Sequence, residues 1–351
     1  MTQLAPLEWT AGRYLGEGHP CYIVAEIGQN HNGCVQTARK LIDAAAYAGA
    51  DAVKFCKRDL SSELTAEAFH QPYNNPHSYG RTYGEHRRAL ELSREQHAEL
   101  SDYAASCGVT YFSTACDARS VEDLELIEVP FYKVASRDLT NMPLLECIAD
   151  TGKPAVLSCG MDGLDAIEQA LNVMRRSGSP VVLLQCTSSY PTDPADVNLR
   201  VIPALRQQFG IHIGYSDHTL GGAVALGAVA LGAVMIEKHI TLDRNQRGRD
   251  HACSLTPVEL KQFVADIRTI EAALGDGIKR VPESVAAAKA RLGRSLVARC
   301  QILRGMRVTE DMLCLKSAGK GLPWQQRQLL LGRVARRDIP ADAALSLADV
   351  E

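Results

Sequence analysis

Short apolar runs rich in β-branched and aromatic residues recur along the chain, and amphipathic segments separate them. Eight such runs occupy residues 21–28, 51–55, 109–114, 131–136, 154–160, 181–187, 211–216 and 233–240. The segments between them repeat apolar residues at helical spacing, as in 37–50, 93–108, 144–153 and 165–178, and several end in glycine, a common helix C-cap. Strands alternating with helices indicate parallel βαβ units. Eight units predict a closed (β/α)₈ barrel, so the expected fold class is α/β.

Three segments depart from the simple repeat. The gap at 56–108 is too long for one crossover, so its Pro-, Asn-, Gly- and Tyr-rich stretch 70–88 is expected to be an extended, ordered loop on the active-site side. The run AVALGAVALGAVMI (223–236) is shorter than the roughly 20 residues that span a bilayer, and it predicts a buried helix leading into a buried strand. Beyond the last helical pattern (256–275), the predicted organisation is a barrel domain over 1–280, a linker over 281–291 and a small domain of short strands and tight turns over 292–351.

Composition narrows the function classes. The 351 residues carry a formal net charge of −3 and are 46% apolar, which gives no electrostatic case for a nucleic acid or an anionic membrane as partner. The 11 cysteines are scattered without a C-x-x-C pair, which favours a reduced, cytoplasmic protein over a disulfide framework. The N-terminal stretch has no basic region followed by an apolar one, so no secretory leader is predicted.

Polar side chains stand at the C-terminal end of every predicted strand. They are Glu26, Lys54, Ser113 with Thr114, Lys133 with Ser136, Ser158, Gln185 with Thr187, Ser216 with Asp217 and His218, and Glu237 with His239. One polar residue after a strand is often only a loop or cap residue. Polar residues at all eight ends instead predict an active site there, because barrel enzymes build their sites at this face.

Lys54 and Lys133 each follow an apolar strand and are expected to point into one mouth. Two converging ammonium groups favour a ligand with several negative charges, such as a phosphate plus a carboxylate. Ser136, Ser158 and Ser216 could add neutral donors to phosphate oxygens. The alternative is that the lysines are unrelated and reach solvent separately.

His218 and His239 lie at the ends of the last two strands. Neighbouring strands lie about 4.8 Å apart, so the two imidazoles can share a metal ion. Nearby carboxylates and hydroxyls favour Mn²⁺ or Mg²⁺; two hydrogen-bonded histidines without metal are the alternative. GYSDHT (214–219) also sets Ser216, Asp217 and His218 side by side. A hydrolytic triad is not predicted, because triad members meet from separate segments and no G-x-S-x-G motif is present.

Eight longer motifs follow one another along nearly the whole chain. They are AEIGQNHNG (25–33), GADAVKF (49–55), KVASRDLTN (133–141), GKPAVLSCGM (152–161), LLQCTSSYP (183–191), IGYSDHT (213–219), ALGAVMIEKHITLD (230–243) and GRDHACSL (248–255). Together they resemble the sialic acid (N-acetylneuraminate) synthase family. LGRSLVA (292–298) and DIPADAAL (338–345) resemble its antifreeze-like (SAF) domain.

The resemblance implies a TIM barrel with a small β-clip SAF domain, usually in a domain-swapped homodimer. It implies a transferase that condenses phosphoenolpyruvate with an N-acylmannosamine-type sugar and releases phosphate by C–O cleavage. By matched position, phosphoenolpyruvate would contact Lys54, Thr114, Lys133, Ser136, Ser158, Ser216 and Ser188, which stands where the family often has Asn. His218 and His239 would bind the metal, and Glu26 would orient or deprotonate the attacking water. The sugar would contact Asp138, Tyr190 and Asp250.

The chain departs from the family pattern at two positions. Cys56 stands where many bacterial members have Gln. In KSAGKG (316–321), Ser317 stands at the position of the Arg that reaches the partner's N-acyl group in many members, so Lys316 or Lys320 is expected to substitute. The stretches 72–96 and 247–255 look closer to the branch that accepts mannosamine 6-phosphate. Four cations could serve a sugar phosphate or be solvated surface charges: Arg81 and Arg87 in the first of these stretches, and Lys57 and Arg58 after the second predicted strand.

The predicted function is therefore a sialic acid synthase that uses N-acetylmannosamine or its 6-phosphate. The in-family alternative is a legionaminic, pseudaminic or KDN-type acid synthase. A metal-dependent barrel hydrolase is a different enzyme class and would not need the paired lysines. A sugar-binding or ice-binding protein would not need the constellation of Glu26, Lys54, Lys133, His218 and His239.

Overall fold

The computed structural model describes residues 4–10 and 12–351. Residues 1–3 and Ala11 lie outside the described residues; they belong to the N-terminal stretch for which no secretory leader is predicted. The chain forms two compact units, residues 1–275 and residues 276–351. In the described ranges, no helix combines the length and the apolar character needed to cross a membrane. All 11 cysteines are described, and each is free.

Eight parallel strands form the centre of the first unit. A short antiparallel hairpin, β1 (Leu7–Thr10) and β2 (Arg13–Leu15), precedes them. The parallel strands are β3 (Tyr22–Gly28), β4 (Ala52–Lys57), β5 (Thr110–Ala115), β6 (Tyr132–Val134), β7 (Ala155–Ser158), β8 (Val181–Cys186), β9 (His212–Asp217) and β10 (Met235–His239). They pair in sequence order, and β10 closes the circle against β3. Each predicted run overlaps one of these strands, so the (β/α)₈ prediction is confirmed.

Helices surround the barrel. They are α1 (Val35–Ala48), α2 (Leu60–Glu63), α3 (Ala66–His70), α4 (Tyr83–Leu90), α5 (Arg94–Ser106), α6 (Ala118–Leu126), α7 (Met142–Asp150), α8 (Leu164–Arg175), α9 (Val201–Phe209), α10 (Ala223–Ala230) and α11 (Pro257–Leu274). The apolar run 223–236 forms α10 and the start of β10, as predicted. The expectation that 70–88 is only a loop is wrong, because α4 occupies its second half. A capping box, in which the Thr82 side chain accepts from the Glu85 N–H and the Glu85 side chain accepts from the Thr82 N–H, fixes the start of that helix.

Side chains alternate along each strand, so every second residue points into the barrel. Successive inward-facing residues form two layers. The lower layer is apolar and includes Val24, Val156 and Met235. Trp9 of the hairpin packs into it with its ring centroid 4.8 Å from that of Phe131, so the hairpin closes the bottom of the barrel. Two residues further along the strands, the upper layer is polar. The larger apolar core lies between the outer strand faces and the helices.

The second unit has its own small core. It contains α12 (Ala286–Leu292) and the antiparallel pair β11 (Arg294–Ala298) and β12 (Leu313–Ser317), with 3₁₀ turns elsewhere. Leu296, Ile302, Leu313 and Ile339 are completely buried in it. Most of α12 falls within residues 281–291, the segment predicted as a linker.

Candidate active site

A cavity of about 700 Å³ opens at the C-terminal end of the barrel strands. Its size suits one or two small molecules. Twelve of the predicted site residues line it, namely Glu26, Lys54, Thr114, Lys133, Ser136, Ser158, Ser188, Tyr190, Ser216, His218, His239 and Asp250. The polar strand ends therefore converge on one site, as their positions predict.

A buried ion cluster forms the floor of the cavity. Lys54 Nζ lies 2.8 Å from Glu26 Oε2 and 3.5 Å from Glu237 Oε2, and it donates a hydrogen bond to Thr114 Oγ1 at 3.1 Å. All four residues are at most 5% exposed. Buried charges are costly unless they are paired, so this pairing is what allows Lys54 to stay charged inside the barrel.

Glu237 joins the two lysines. Its Oε1 lies 3.8 Å from Lys133 Nζ and accepts a hydrogen bond from Ser216 Oγ at 2.9 Å, while its Oε2 faces Lys54. The sequence places Glu237 at a strand end but assigns it no role. Its two-residue spacing from His239 was the available signal, because that spacing puts both side chains on the inner face of β10. The two lysines thus converge on a shared carboxylate of the protein and not only on a site for a bound anion.

The surroundings of the two glutamates give their carboxyl groups very different pKa values. Burial alone would raise the pKa of Glu237, but Lys133 and Lys54 outweigh it and lower the pKa to about 2. Burial raises the pKa of Glu26 to about 8, although Lys54 lies beside it. Burial disfavours charged Lys54, yet Glu237 and Glu26 hold its pKa above the usual value. The floor therefore contains one firmly ionised carboxylate and one carboxyl group that can hold or release a proton near neutral pH.

Hydroxyl groups surround Lys133. Its Nζ donates to Ser158 Oγ at 2.6 Å, and the Ser136 Oγ accepts from the Gly160 N–H at 2.9 Å. A Cβ added to Gly160 would lie 2.6 Å from Ser188 Oγ, so only glycine fits between these two hydroxyls. An ammonium group and three hydroxyls on the ends of neighbouring strands and their loops make a compact donor set for an oxyanion.

The two histidines lie next to each other, with ring centroids 5.5 Å apart. His218 Nδ1 lies 3.1 Å from the Thr187 carbonyl, which assigns the proton to Nδ1 and leaves the Nε2 lone pair free. His239 Nδ1 is buried without a hydrogen-bond partner. Burial lowers the pKa of His218 to about 4 and that of His239 to about 3, so both rings are neutral at neutral pH. The Tyr190 ring packs against His218 with centroids 4.1 Å apart.

A second ion pair lies behind the histidines on the outer strand faces. Lys238 Nζ donates to Asp217 Oδ2 at 2.8 Å, and both side chains are completely buried. Asp217 Oδ1 accepts from the Thr219 N–H at 2.9 Å, so it fixes the backbone on both sides of His218. Ser216, Asp217 and His218 point to different partners and do not form a hydrolytic triad.

The insertion between β4 and α5 forms one wall of the cavity. Tyr79 Oη donates to the Arg247 carbonyl at 2.7 Å and thereby ties the insertion to the loop after β10. Burial and the nearby Arg87 lower the pKa of His86 to about 4, and its Nδ1 accepts from the Tyr79 N–H at 3.2 Å. Tyr83 and Arg87, one turn apart on α4, face the cavity.

Comparison with known protein families follows the same division of the chain. The profile described as "NeuB family" matches residues 41–279, more than half of the chain, and the "SAF domain" profile matches residues 293–351. The chain belongs to the NeuB family. This confirms the resemblance to sialic acid synthases and the assignment of the C-terminal unit as a SAF domain.

Relatives within the NeuB family match over nearly the whole chain. N-acetylneuraminate-9-phosphate synthase of Mus musculus is 42% identical over 347 residues, covering 98% of this chain and 97% of that protein. N,N'-diacetyllegionaminic acid synthase of Campylobacter jejuni is 38% identical over 324 residues, covering 91% and 97%. The crystal structure of N-acetylneuraminic acid synthetase from Leptospira borgpetersenii in complex with citrate is 32% identical, with a TM-score of 0.71 and coverage of 81% and 95%.

Two of the barrel residues considered for the sugar, Asp138 and Arg81, do not line the cavity. Asp138 does not line it, because a 3₁₀ turn follows β6 and the Asp138 carboxylate accepts from Arg137 Nε at 3.2 Å. Lys316 and Lys320 are exposed in the SAF unit, where Lys316 pairs with Asp342. Arg81 is exposed and does not line the cavity.

Proposed function

We propose that this NeuB-family protein condenses phosphoenolpyruvate with N-acetylmannosamine or its 6-phosphate. The product is a nonulosonic acid of the N-acetylneuraminate type, and phosphate is released by C–O cleavage. The observation that carries the proposal is the floor of the cavity, where Lys54 and Lys133 share Glu237 beneath a group of hydroxyls. The 42% identity to a synthase of N-acetylneuraminate 9-phosphate supports the same chemistry.

The hydroxyls around Lys133 suit the phosphate of phosphoenolpyruvate, and Lys54 with Thr114 suits its carboxylate. Ser136, Ser158 and Ser188 can each donate one hydrogen bond to a phosphate oxygen. The two lysines outnumber the firmly ionised Glu237 when Glu26 holds its proton, so the floor attracts an anion. Because Lys133, Ser136 and Ser158 are buried and fixed before the ligand binds, they stabilise the departing phosphate without reorganisation.

In the proposed reaction, C3 of phosphoenolpyruvate attacks the aldehyde carbon of the open-chain sugar, and the C2–C3 π electrons form the new C–C bond. The π electrons of the aldehyde move to its oxygen, which takes up a proton and becomes a hydroxyl. Water adds to the cationic C2, and the tetrahedral intermediate expels phosphate with the bridging oxygen. Glu26, whose pKa is raised to about 8, is proposed to orient the attacking water, and its ionised form, the minority near neutral pH, is proposed to take that water's proton. Tyr190 and Asp250, on the cavity wall, are proposed to contact the sugar.

The histidines fit a divalent metal ion. Both rings are neutral, the Nε2 lone pair of His218 is free, and the buried His239 Nδ1 has no partner. Among the described residues no group of three or more His, Cys, Asp or Glu is arranged to hold an ion, so His218 and His239 would be joined by oxygen ligands from water and substrate. Such a set suits Mn²⁺ or Mg²⁺. The bound ion would polarise the aldehyde oxygen.

A legionaminic-type acid remains the second candidate product, favoured by the 38% identity to a legionaminic acid synthase. A metal-dependent hydrolase would leave the lysine–glutamate floor without a purpose. By resemblance to the family, we further propose a cytoplasmic homodimer with exchanged SAF domains, in which Lys316 or Lys320 reaches the N-acyl group in the partner's site and Asp138 supports the sugar.

The test is turnover of a sugar panel with phosphoenolpyruvate and Mn²⁺, following the 2-keto acid and inorganic phosphate. Phosphoenolpyruvate labelled with ¹⁸O in the bridging position should give labelled phosphate. Lys133→Met should abolish turnover, whereas Lys153→Met, which removes a half-buried lysine that pairs with Glu125 outside the cavity, should not. Absence of a 2-keto acid with every mannosamine-type sugar, or unlabelled phosphate, would refute the proposal.

A further inference from the structure

The cavity has more positive charge than the floor accounts for. Six basic side chains line it against three carboxylates, those of Glu26, Glu237 and Asp250. The basic side chains are Lys54, Arg58, Arg87, Lys133, Arg137 and Arg249. Lys54 and Lys133 belong to the ion cluster of the floor. The question is which of the four arginines remains available for a ligand.

Two of the arginines are already neutralised by carboxylates outside the cavity lining. Arg58 lies 3.4 Å from Glu63 and 3.5 Å from Glu91. Arg137 lies 2.7 Å from the same Glu63 and 3.2 Å from Asp138. These pairs are half-buried or buried, so the charges largely cancel where they stand.

Arg87 has no carboxylate partner in the described part of the chain. Its Nε and Nη2 donate to Tyr83 Oη at 2.8 and 2.6 Å, and its Nη1 donates to Gln29 Oε1 at 2.8 Å. These neutral partners use three of the five guanidinium N–H groups and hold the group in place without cancelling its charge. Two N–H donors remain, and Tyr83 keeps its own hydroxyl proton to donate. A fixed, charged fork of this kind matches the geometry of a phosphate.

The position of Arg87 is fixed by its surroundings. The capping box of Thr82 and Glu85 sets the first turn of α4, and a Cβ on Gly84 would lie 2.2 Å from the Phe69 ring, so α4 packs closely on α3. Gln29, the other anchor, directly follows Gly28, whose added Cβ would lie 3.6 Å from His239 Cε1. Arg87 thus lines the cavity beside Gln29, just beyond β3, and β3 pairs with the strand that ends in His239. Arg249, exposed on the loop that Tyr79 ties to this wall, lines the same cavity and also has no described carboxylate partner.

We infer that Arg87, aided by Arg249, binds a phosphate group carried by the sugar acceptor; this rests on the proposed function. With the aldehyde end of the sugar at the histidines and phosphoenolpyruvate on the floor, the far end of an extended sugar lies towards the half-buried wall that Arg87 occupies. The structure thereby selects Arg87 from the four cations that the sequence offers. Lys57 and Arg58 are paired with carboxylates, and Arg81 lies outside the cavity.

The experiment compares kcat/KM for N-acetylmannosamine 6-phosphate with kcat/KM for N-acetylmannosamine, in the wild type and in Arg87→Gln. Because a hydrogen bond to a charged group contributes about 1.5–3 kcal/mol, the ratio should fall about 10- to 100-fold in the variant. Arg87→Lys, which keeps the charge but loses the fork, should give an intermediate ratio. Arg81→Gln, which lies two residues before α4 begins and does not line the cavity, should keep the wild-type ratio.

The outcomes separate this inference from the proposed function. A ratio unchanged in Arg87→Gln, or an equal loss with both sugars, overturns the inference, since a merely structural role would affect both sugars alike. A wild-type protein that uses only the unphosphorylated sugar also overturns it but leaves the condensation standing. Absence of turnover with either sugar in the wild type overturns the proposed function itself.

Discussion

Replacing Glu237 by Gln tests the electrostatics of the cavity floor most directly. The substitution keeps the shape of the side chain and the contact with Ser216, but it removes the one carboxylate among the described residues that lies within ion-pair distance of both lysines. Lys54 keeps Glu26 as a partner, while Lys133 is left without a carboxylate within ion-pair distance among the described residues. Lys133 is 2% exposed, so water cannot replace the lost charge.

The expected cost follows from the distances. At an effective dielectric constant of about 20, a carboxylate attracts an ammonium group at 3.5 or 3.8 Å by about 4–5 kcal/mol before desolvation is counted. Breaking one partner of a buried ion pair generally costs about 3–5 kcal/mol. We therefore expect the free energy of unfolding to fall by about 3–5 kcal/mol in Glu237→Gln.

Denaturant unfolding at neutral pH, followed by circular dichroism, measures this loss. Because the pKa of Glu237 is depressed from 4.5 to about 2 in the folded state, its stabilisation is fully present above pH 4.5 and is lost as the pH falls through about 2. The difference between wild type and variant should shrink over that window. Phosphoenolpyruvate brings negative charge to the same lysines, so it should raise the melting temperature of the variant more than that of the wild type.

The matched control is Glu99→Gln, which removes a half-exposed carboxylate 3.5 Å from Arg39 and should cost less than about 1 kcal/mol. A Glu237→Gln protein within about 1 kcal/mol of the wild type would refute the reasoning, because the lysines would then not depend on Glu237. Equal stabilisation of both proteins by phosphoenolpyruvate would count against its placement on the floor.

Three further substitutions test other parts of the barrel. His218→Ala should abolish turnover and tight Mn²⁺ binding measured by calorimetry, whereas His212→Ala, at the opposite end of β9, should retain both. Retained Mn²⁺ affinity in His218→Ala would exclude His218 as a metal ligand. Lys238→Met should lower the free energy of unfolding by about 3–5 kcal/mol by leaving Asp217 as a bare buried charge, and adding Asp217→Asn should recover part of that loss. Trp9→Ala should cost about 3–5 kcal/mol in chemical unfolding, because it opens the packed bottom of the barrel; a loss below about 1 kcal/mol would contradict that packing.

The barrel could be predicted from the sequence because its signals are local. Each strand is a short apolar run, and the turn from helix to strand is marked by glycine. Helix α4 was missed because its residues are mostly polar and its stability comes from contacts with other parts of the insertion. The Thr82–Glu85 capping box was the one local sign of where it begins.

The candidate site could be predicted as a set of strand ends but not as a network. Alternation places Glu237 inside the barrel, yet its contact with two lysines depends on the closure of β10 against β3 and on side chains four strands away. The lysines were expected to await an anion, whereas each already faces a carboxylate. Asp138 turns to Arg137 because of a 3₁₀ turn that motif matching does not reveal.

The closed bottom of the barrel has a consequence for the order of events. Since the hairpin and the apolar layer around Trp9 and Phe131 block that end, everything must arrive and depart through the single mouth at the other end. A molecule held by Lys133 and Ser158, which are at most 2% exposed, lies beneath whatever occupies the wall near Arg87. On the proposed function, phosphoenolpyruvate should therefore bind at the floor before the sugar does, and phosphate should leave only after the sugar-derived product has left the mouth.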